Sequence, residues 1–425
     1  MTRTKAFRIS GAIALLVVAA WILLALFGPG LEYQVHAPAD ALDSELFLQQ
    51  LEAISDSRIN RNTAIEVLAN GENYYRAELE AIRQAQKSVT LEAFIFEEGE
   101  IASQFVQALT ERARAGVKVN LLADGVGSLR TNRSYFRDLQ DAGGKAAFYH
   151  PIRWYTWPRY NNRTHREIIV VDGKTAFVGG AGVADHWLLG SEKEPRWRDT
   201  MFRVQGQSVA RIQGAFVENW LEATGELLTG ADYFPFAEAE GNVTTLVVNS
   251  TPSEGQSTRS RMLYQLLIAS AKKSIYLTTP YFLPDRSARD ELIKAMQRGV
   301  EVKVVVPGRR TDQHMTRYSS RTLLGELLKH GAKIYEYQPS MIHTKSLVVD
   351  GTWSVVGSTN IDSRSFGLND EINVAARDRD LAGELTEHFF ADVQQSDELT
   401  YDEWKKRGPI ERVRGWLGLL LARQQ

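Results

Sequence analysis

Apolar positions follow three patterns along the chain. Ile9 to Phe27 is a run of 19 residues without a charge, interrupted only by Ser10 and Gly11. As a helix rising about 1.5 Å per residue it nearly spans a hydrocarbon core of about 30 Å. Farther on, Ile101, Phe105, Val106 and Leu109 recur on one face before a Gly116 stop, and Leu292, Ile293 and Met296 do so before Gly299. That spacing predicts helices. Short runs rich in Val, Ile and Tyr alternate with them, which predicts strands in a layered α/β architecture.

Between residues 60 and 405 the pattern occurs twice. Lys87-Ser-Val-Thr-Leu-Glu92 leads after 29 residues to Gly116 and a second apolar run; Lys273-Ser-Ile-Tyr-Leu-Thr278 leads after 26 to Gly299 and its own run. Each half then reaches Val-Val-Asp-Gly, at 170–173 and 348–351. Four landmarks in one order predict two pseudo-symmetric α/β/α lobes, 60–235 and 242–405, with equivalent strand ends around one central cleft. The joint is expected near Gly230 to Gly241. Residues 1–30 read as a transmembrane anchor, 31–59 as a linker, and 406–425 as an amphipathic C-terminal segment.

Charge orients the first segment. Arg3, Lys5 and Arg8 precede the apolar run, and Glu32, Asp40, Asp43 and Glu45 follow it. This predicts a single pass with the N-terminus in the cytoplasm and the remaining chain outside. A cleaved signal peptide competes, with Val35-His36-Ala37 as its site, but the run is long for an h-region and Pro38 follows. At the other end Trp416, Leu417 and Leu419 to Leu421 adjoin Arg412, Arg414 and Arg423. This is either an interfacial helix or one packed on the domain, and Gly415 and Gly418 weaken both.

Composition narrows the chemistry. The 425 residues carry 50 Lys and Arg against 52 Asp and Glu, a net charge of −2, which disfavours a nucleic-acid-gripping protein. A hydrophobic content of 44% supports a core, and zero Cys excludes disulfides, thiolate nucleophiles and Cys-ligated metals. No H-E-x-x-H run or carboxylate cluster suggests a metal, and no cofactor is expected.

The second half holds His343-Thr-Lys345-Ser-Leu-Val-Val-Asp350, followed by Gly357-Ser358-Thr-Asn360. On a strand, His343 and Lys345 share a face. An ammonium neutralises non-bridging phosphate oxygens, and an imidazole attacks phosphorus or moves a proton. Ser358 and Asn360 add neutral donors suited to phosphate oxygens.

These motifs resemble the phospholipase D superfamily, whose members carry H-x-K-x4-D twice, each followed by G-S/G-x-N. The closest likeness is to bacterial cardiolipin synthases. It rests on Glu336-Tyr-Gln-Pro-Ser-Met-Ile-His343, Asn369-Asp-Glu371, Asn162-Arg-Thr-His165 and Trp197-Arg-Asp199, and it covers nearly all of 60–405. The first copy departs from the pattern: His165-Arg-Glu167 and Asp172, then Gly179-Gly180-Ala-Gly182, put Glu167 at the lysine position and Gly182 at the asparagine position. Arg166 faces the opposite side and is no substitute. Cation to anion is a two-charge change beside a phosphodiester, worth several kcal/mol unless offset. Arg153, Arg159, Arg163 or a pairing of Glu167 with Lys345 are the candidates.

The resemblance implies a phosphatidyl-histidine intermediate, with His165 as nucleophile and His343 as general acid. It implies Asp199 and Glu371 as carboxylates orienting the imidazoles. Asp172 and Asp350 match the motif aspartates, although their place at strand ends suits a structural role. The implied activity is a membrane-bound cardiolipin synthase joining two phosphatidylglycerols, in the bacterial inner membrane with the catalytic region on the periplasmic side. Hydrolysis by the same residues as a phospholipase D, or another phosphodiesterase, is the alternative; a further one is an impaired lipid-binding homologue, because of Glu167. Arg153 to Tyr160 is either a lipid platform or a packed loop, and Trp187, Tyr281 and Phe282 are expected as core or cleft wall. His186 and the other remaining histidines default to surface or core. Oligomeric state is left open.

Overall fold

The computed structural model describes residues 11–20, 32–36, 41–154, 159–191, 194–236, 238–253, 255, 257–420 and 422. The first half supplies strands β1 (Ile59–Ala69), β2 (Ser88–Ala93), β3 (Lys118–Asp124), β4 (Lys145–Tyr149), β5 (Arg163–Thr164), β6 (Ile168–Val171), β7 (Thr175–Gly179) and β8 (Thr200–Gly206). The second supplies β9 (Val243–Ser250), β10 (Ser274–Thr278), β11 (Glu301–Pro307), β12 (Lys333–Tyr337), β13 (Ser346–Val349), β14 (Trp353–Gly357), β15 (Asn369–Arg377) and β16 (Ser396–Leu399).

All belong to one mixed sheet. From its centre the first half runs β1-β8-β7-β6-β2-β3-β4 and the second β9-β15-β14-β13-β10-β11-β12, with β16 added at the far edge. β1 and β9 join the halves antiparallel. The triplets β2-β3-β4 and β10-β11-β12 are parallel, and each is reached through crossover helices. Such strands are covered on both faces, and every residue of β2 is buried.

The helices follow the apolar periodicity. Glu100–Arg114 buries Ile101, Phe105, Val106 and Leu109, and Arg286–Gln297 buries Leu292 and Ile293. Each stops at a glycine with positive φ, Gly116 at 86° and Gly299 at 89°, where a side chain would be strained. One apolar layer crosses the whole molecule: Ile168, Val170 and Phe202 pack in one cluster with Val247, Val348 and Ile372, beneath helices Val209–Thr224 and Arg379–Gln394. Burial shared in this way fixes the halves relative to each other.

One expectation about the N-terminal region changes. Residues 31–59 are not a bare linker: helix Glu45–Ser55 buries Phe47, Leu48 and Leu51 in the core of the second half. Phe47 meets Trp353 edge-on at 5.9 Å, and the Trp353 indole donates to the Leu42 carbonyl. The acidic residues flanking those apolar positions, Glu45 and Glu52, hid an amphipathic helix. The run Ile9–Phe27 lies partly outside the described residues. Its described portion, 11–20, is helical and exposed, and among the described residues no helix is long and apolar enough to cross a membrane.

Candidate active site

Two short cross-half pairings build the site. β5 lies parallel to β15, Arg163 opposite Asn369 and Thr164 opposite Asp370, and the His165 amide donates to the Asp370 carbonyl. In the mirrored place Arg198 bridges Ile342, and the His343 amide donates to the Arg198 carbonyl. Each histidine therefore sits one residue beyond a backbone contact with the opposite half, beside that half's carboxylate.

The carboxylates cross over. Glu371 of the second half holds His165, with both carboxylate oxygens 3.1 Å from Nδ1. Asp199 of the first half holds His343, Oδ2 at 2.9 Å from Nδ1. Each carboxylate accepts from its imidazole at Nδ1, which leaves Nε2 as the ring nitrogen available for chemistry. Glu371 is fixed in turn by the Ser358 hydroxyl, which also accepts from the Ile372 amide. Ser358 is thus spent on the carboxylate and is not a free phosphate donor. Asp199 is steadied by the Trp187 indole at 3.1 Å and the Thr200 amide at 2.8 Å. Burial pushes Asp199 up, but the His343 hydrogen bond and the Lys345 charge outweigh it and hold its carboxyl below the ordinary range.

Lys345 lies against His343. Its Nζ is 3.0 and 3.2 Å from the two ring nitrogens and donates to the His343 carbonyl at 2.9 Å. Burial first, and this ammonium second, lower the His343 pKa and keep the ring neutral. Asn360 is buried beside the motif, and its side-chain oxygen has no partner among the described residues.

The first half is built differently. Glu167 is buried, and its Oε1 accepts from the Phe94 amide at 3.1 Å and, more weakly, the Ile95 amide at 3.5 Å. Burial pushes its carboxyl well above the ordinary range, toward the uncharged form, against the Ile95 and Phe94 amides and the Lys345 charge. Burial thus opposes an anion at this position and lessens the expected two-charge penalty. Arg159 pairs with Glu222 and Arg163 with Asp124, so neither serves as the expected offset. Arg166 points to the far side, toward Glu218 and Asp370.

The two glycines follow from packing. A Cβ at Gly180, the counterpart of Ser358, would lie 2.9 Å from Asp199 Oδ1 and 3.1 Å from Lys345 Nζ. At Gly182 it would meet the Ile95 carbonyl at 2.5 Å, closer than any side chain tolerates. Lys345 thus reaches across to the first half's glycine corner.

Asp172 and Asp350 are not with the histidines. At about 3.3 Å per residue, β6 carries Asp172 on the order of 20 Å from His165. Asp172 takes the amides of Gln86, Lys87 and Ser88, and Asp350 takes those of Lys272, Lys273 and Ser274. Both carboxylates anchor the start of a parallel strand, so their catalytic assignment is corrected to a structural one.

Other residues escaped the sequence reading. Trp187 is more than cleft wall, since its indole donates to the carboxylate behind His343. His186 packs at a tilt against Trp187 and Trp197, at 4.2 and 4.0 Å, and burial takes its pKa down to about 4. Trp197 in turn lies 5.4 Å from the His343 ring. Phe94 meets His165 edge-on at 5.3 Å. The aromatic run His186-Trp187 with Trp197, just upstream of Asp199, was the available signal. Residues 155–158 of the aromatic-basic segment lie outside the described residues.

The chain is similar to known proteins. A family model described as "Cardiolipin synthase, PLD-like domain" matches residues 79–193 and again 264–393. A cardiolipin synthase 2 of Bacillus cereus is 32% identical over 386 residues, covering 90% of this chain and 74% of that one. A cardiolipin synthase of Geobacillus kaustophilus is 34% identical over 359 residues, covering 84% and 71%. Among solved structures, a phosphatidylserine synthase of Haemophilus influenzae superposes with a TM-score of 0.70 at 14% identity, covering 89% of this chain and 99% of that one, a likeness of fold.

Proposed function

Because the chain belongs to the phospholipase D superfamily, in the family of cardiolipin synthases, and is an enzyme of it, we propose that it is a phosphatidyltransferase. It joins two phosphatidylglycerols into cardiolipin and releases glycerol. The observation that carries this reading is the crossed pairing, Glu371 on His165 and Asp199 on His343. Two imidazoles held alike through Nδ1, each with Nε2 free, suit a reaction that needs one neutral ring as nucleophile and one ring protonated at Nε2 as acid. We read 60–235 and 242–405 as pseudo-symmetric lobes around that cleft.

In the first step one Nε2 attacks phosphorus, forming the P–N bond as the P–O bond to glycerol breaks. The other imidazole gives its proton to the departing alkoxide. That ring then takes a proton from the hydroxyl of a second phosphatidylglycerol, whose oxygen displaces the histidine and closes the cycle. Lys345 neutralises the non-bridging oxygens. Resemblance assigns the attack to His165. The charges favour the opposite order, because Lys345 and burial keep His343 neutral whereas Glu167 brings no cation to His165. We adopt His343 as nucleophile and His165 as acid.

The apolar run Ile9–Phe27, positive before and acidic after, supports a bacterial inner-membrane anchor with the catalytic region outside. Mass spectrometry of products from phosphatidylglycerol vesicles tests the activity. Cardiolipin with equimolar glycerol is expected; phosphatidic acid alone would make the protein a hydrolase.

A further inference from the structure

We propose that helix Pro409–Leu419 and the adjoining Leu420 form a docking face for an anionic bilayer, seating the cleft mouth on the lipid surface. The proposal rests on the lipid-substrate reading above. An ordinary surface helix buries its large apolar side chains and exposes its small and polar ones. This helix does the reverse. Gly415 and Gly418 are buried against helix His314–Lys329, so closely that a Cβ would lie 2.1 Å from Thr322 Oγ1 and from Ser319 Oγ respectively. Ile410, Val413, Leu417 and Leu420, spaced three or four apart, form one outward stripe flanked by Trp416. Their exposures run from 46% at Leu420 to 68% at Ile410.

Charge and position name the occupant. Arg412 and Arg414 are exposed on the same helix, while its one acid, Glu411, turns inward to Arg321 at 3.1 Å. Lys405 and Lys406 precede it, also exposed. An apolar stripe carrying Trp and bordered by cations matches the headgroup boundary of an anionic membrane. The two helices run antiparallel, since Gly415 meets Tyr318 and Thr322 whereas Gly418 meets Ser319 and Met315. The stripe therefore descends toward His314, which lines a pocket with Asp312, Met341 and Trp197, the last with its ring 5.4 Å from that of His343.

The absence of Cys makes the test direct. A nitroxide on Leu417→Cys of the full chain, reconstituted in vesicles of phosphatidylglycerol and phosphatidylcholine, should be relaxed by oxygen and shielded from a water-soluble nickel chelate. A label on Glu80→Cys should behave oppositely. Nickel access at 417 equal to that at 80 overturns the proposal. A Trp416→Ser, Leu417→Ser double variant should raise KM for vesicle lipid at least tenfold more than KM for dispersed dihexanoyl phosphatidylglycerol; equal changes also overturn it. Failure of the unaltered chain to transfer any phosphatidyl group would sink the enzymatic reading and leave the nitroxide result standing.

Discussion

Beside His343 an ammonium lies 3.2 Å from Nε2, whereas at the matching place near His165 a buried carboxyl faces the amides of Phe94 and Ile95. The strand order around the two rings is the same, and so is the cross-half carboxylate on each Nδ1. What differs is the immediate electrostatic neighbour. Both halves carry an orienting carboxylate, but one places an ammonium beside its ring and the other a carboxyl that clamps a loop. One ammonium in a low-dielectric cleft acts more strongly than in water, and Lys345 reaches the glycine corner of the other half.

The largest effect should come from the rings themselves. His343→Ala and His165→Ala should each lose about a thousandfold or more with phosphatidylglycerol. With phosphatidyl-p-nitrophenol, whose leaving group needs no proton, the first-turnover burst of p-nitrophenol from His165→Ala should recover to within about tenfold of wild type and that from His343→Ala should not. Rescue of His343→Ala instead would restore the order that family resemblance implies.

Next in size is the cation. Lys345→Met should cost about a hundredfold in kcat/KM. It should also move the acid limb of the pH profile. Lys345 depresses the His343 pKa, so its removal raises that pKa, and the neutral ring needed for attack is lost at a higher pH than in wild type. An unmoved acid limb would mean that His343 is not the titrating nucleophile.

The clamp in the other half gives a smaller change. Glu167→Gln keeps the acceptor for Phe94 and Ile95 and matches a neutral acid, so activity should stay within about threefold; Glu167→Lys offers no acceptor and should cost about tenfold or more. A gain with Glu167→Lys would show the first half to be impaired for want of a cation.

The smallest catalytic effect is expected at the motif aspartates. Asp172→Ala and Asp350→Ala should each lower unfolding free energy by about 1–3 kcal/mol, by leaving strand-start amides unpaired, with the pH profile of activity unchanged. Denaturant titration would check that the two halves lose alike.

Sequence alone determined what is local or repeated. Periodicity marked helices such as Glu100–Arg114, the doubled landmarks marked an α/β chain whose pattern recurs, and the spacing of His343 and Lys345 put both on one side. Tertiary structure decided whatever depends on what lies opposite. The acidic stretch hiding Phe47, Leu48 and Leu51 became a core helix only because the second half offers Trp353. Spacing along the chain carries no information on which carboxylate meets which imidazole, since His343 and Asp199 are 144 residues apart. Nor does it carry the charge of Glu167, because a carboxyl's ionisation is set by the solvent it has lost and the amides it has gained, and both exist only once the halves close over it.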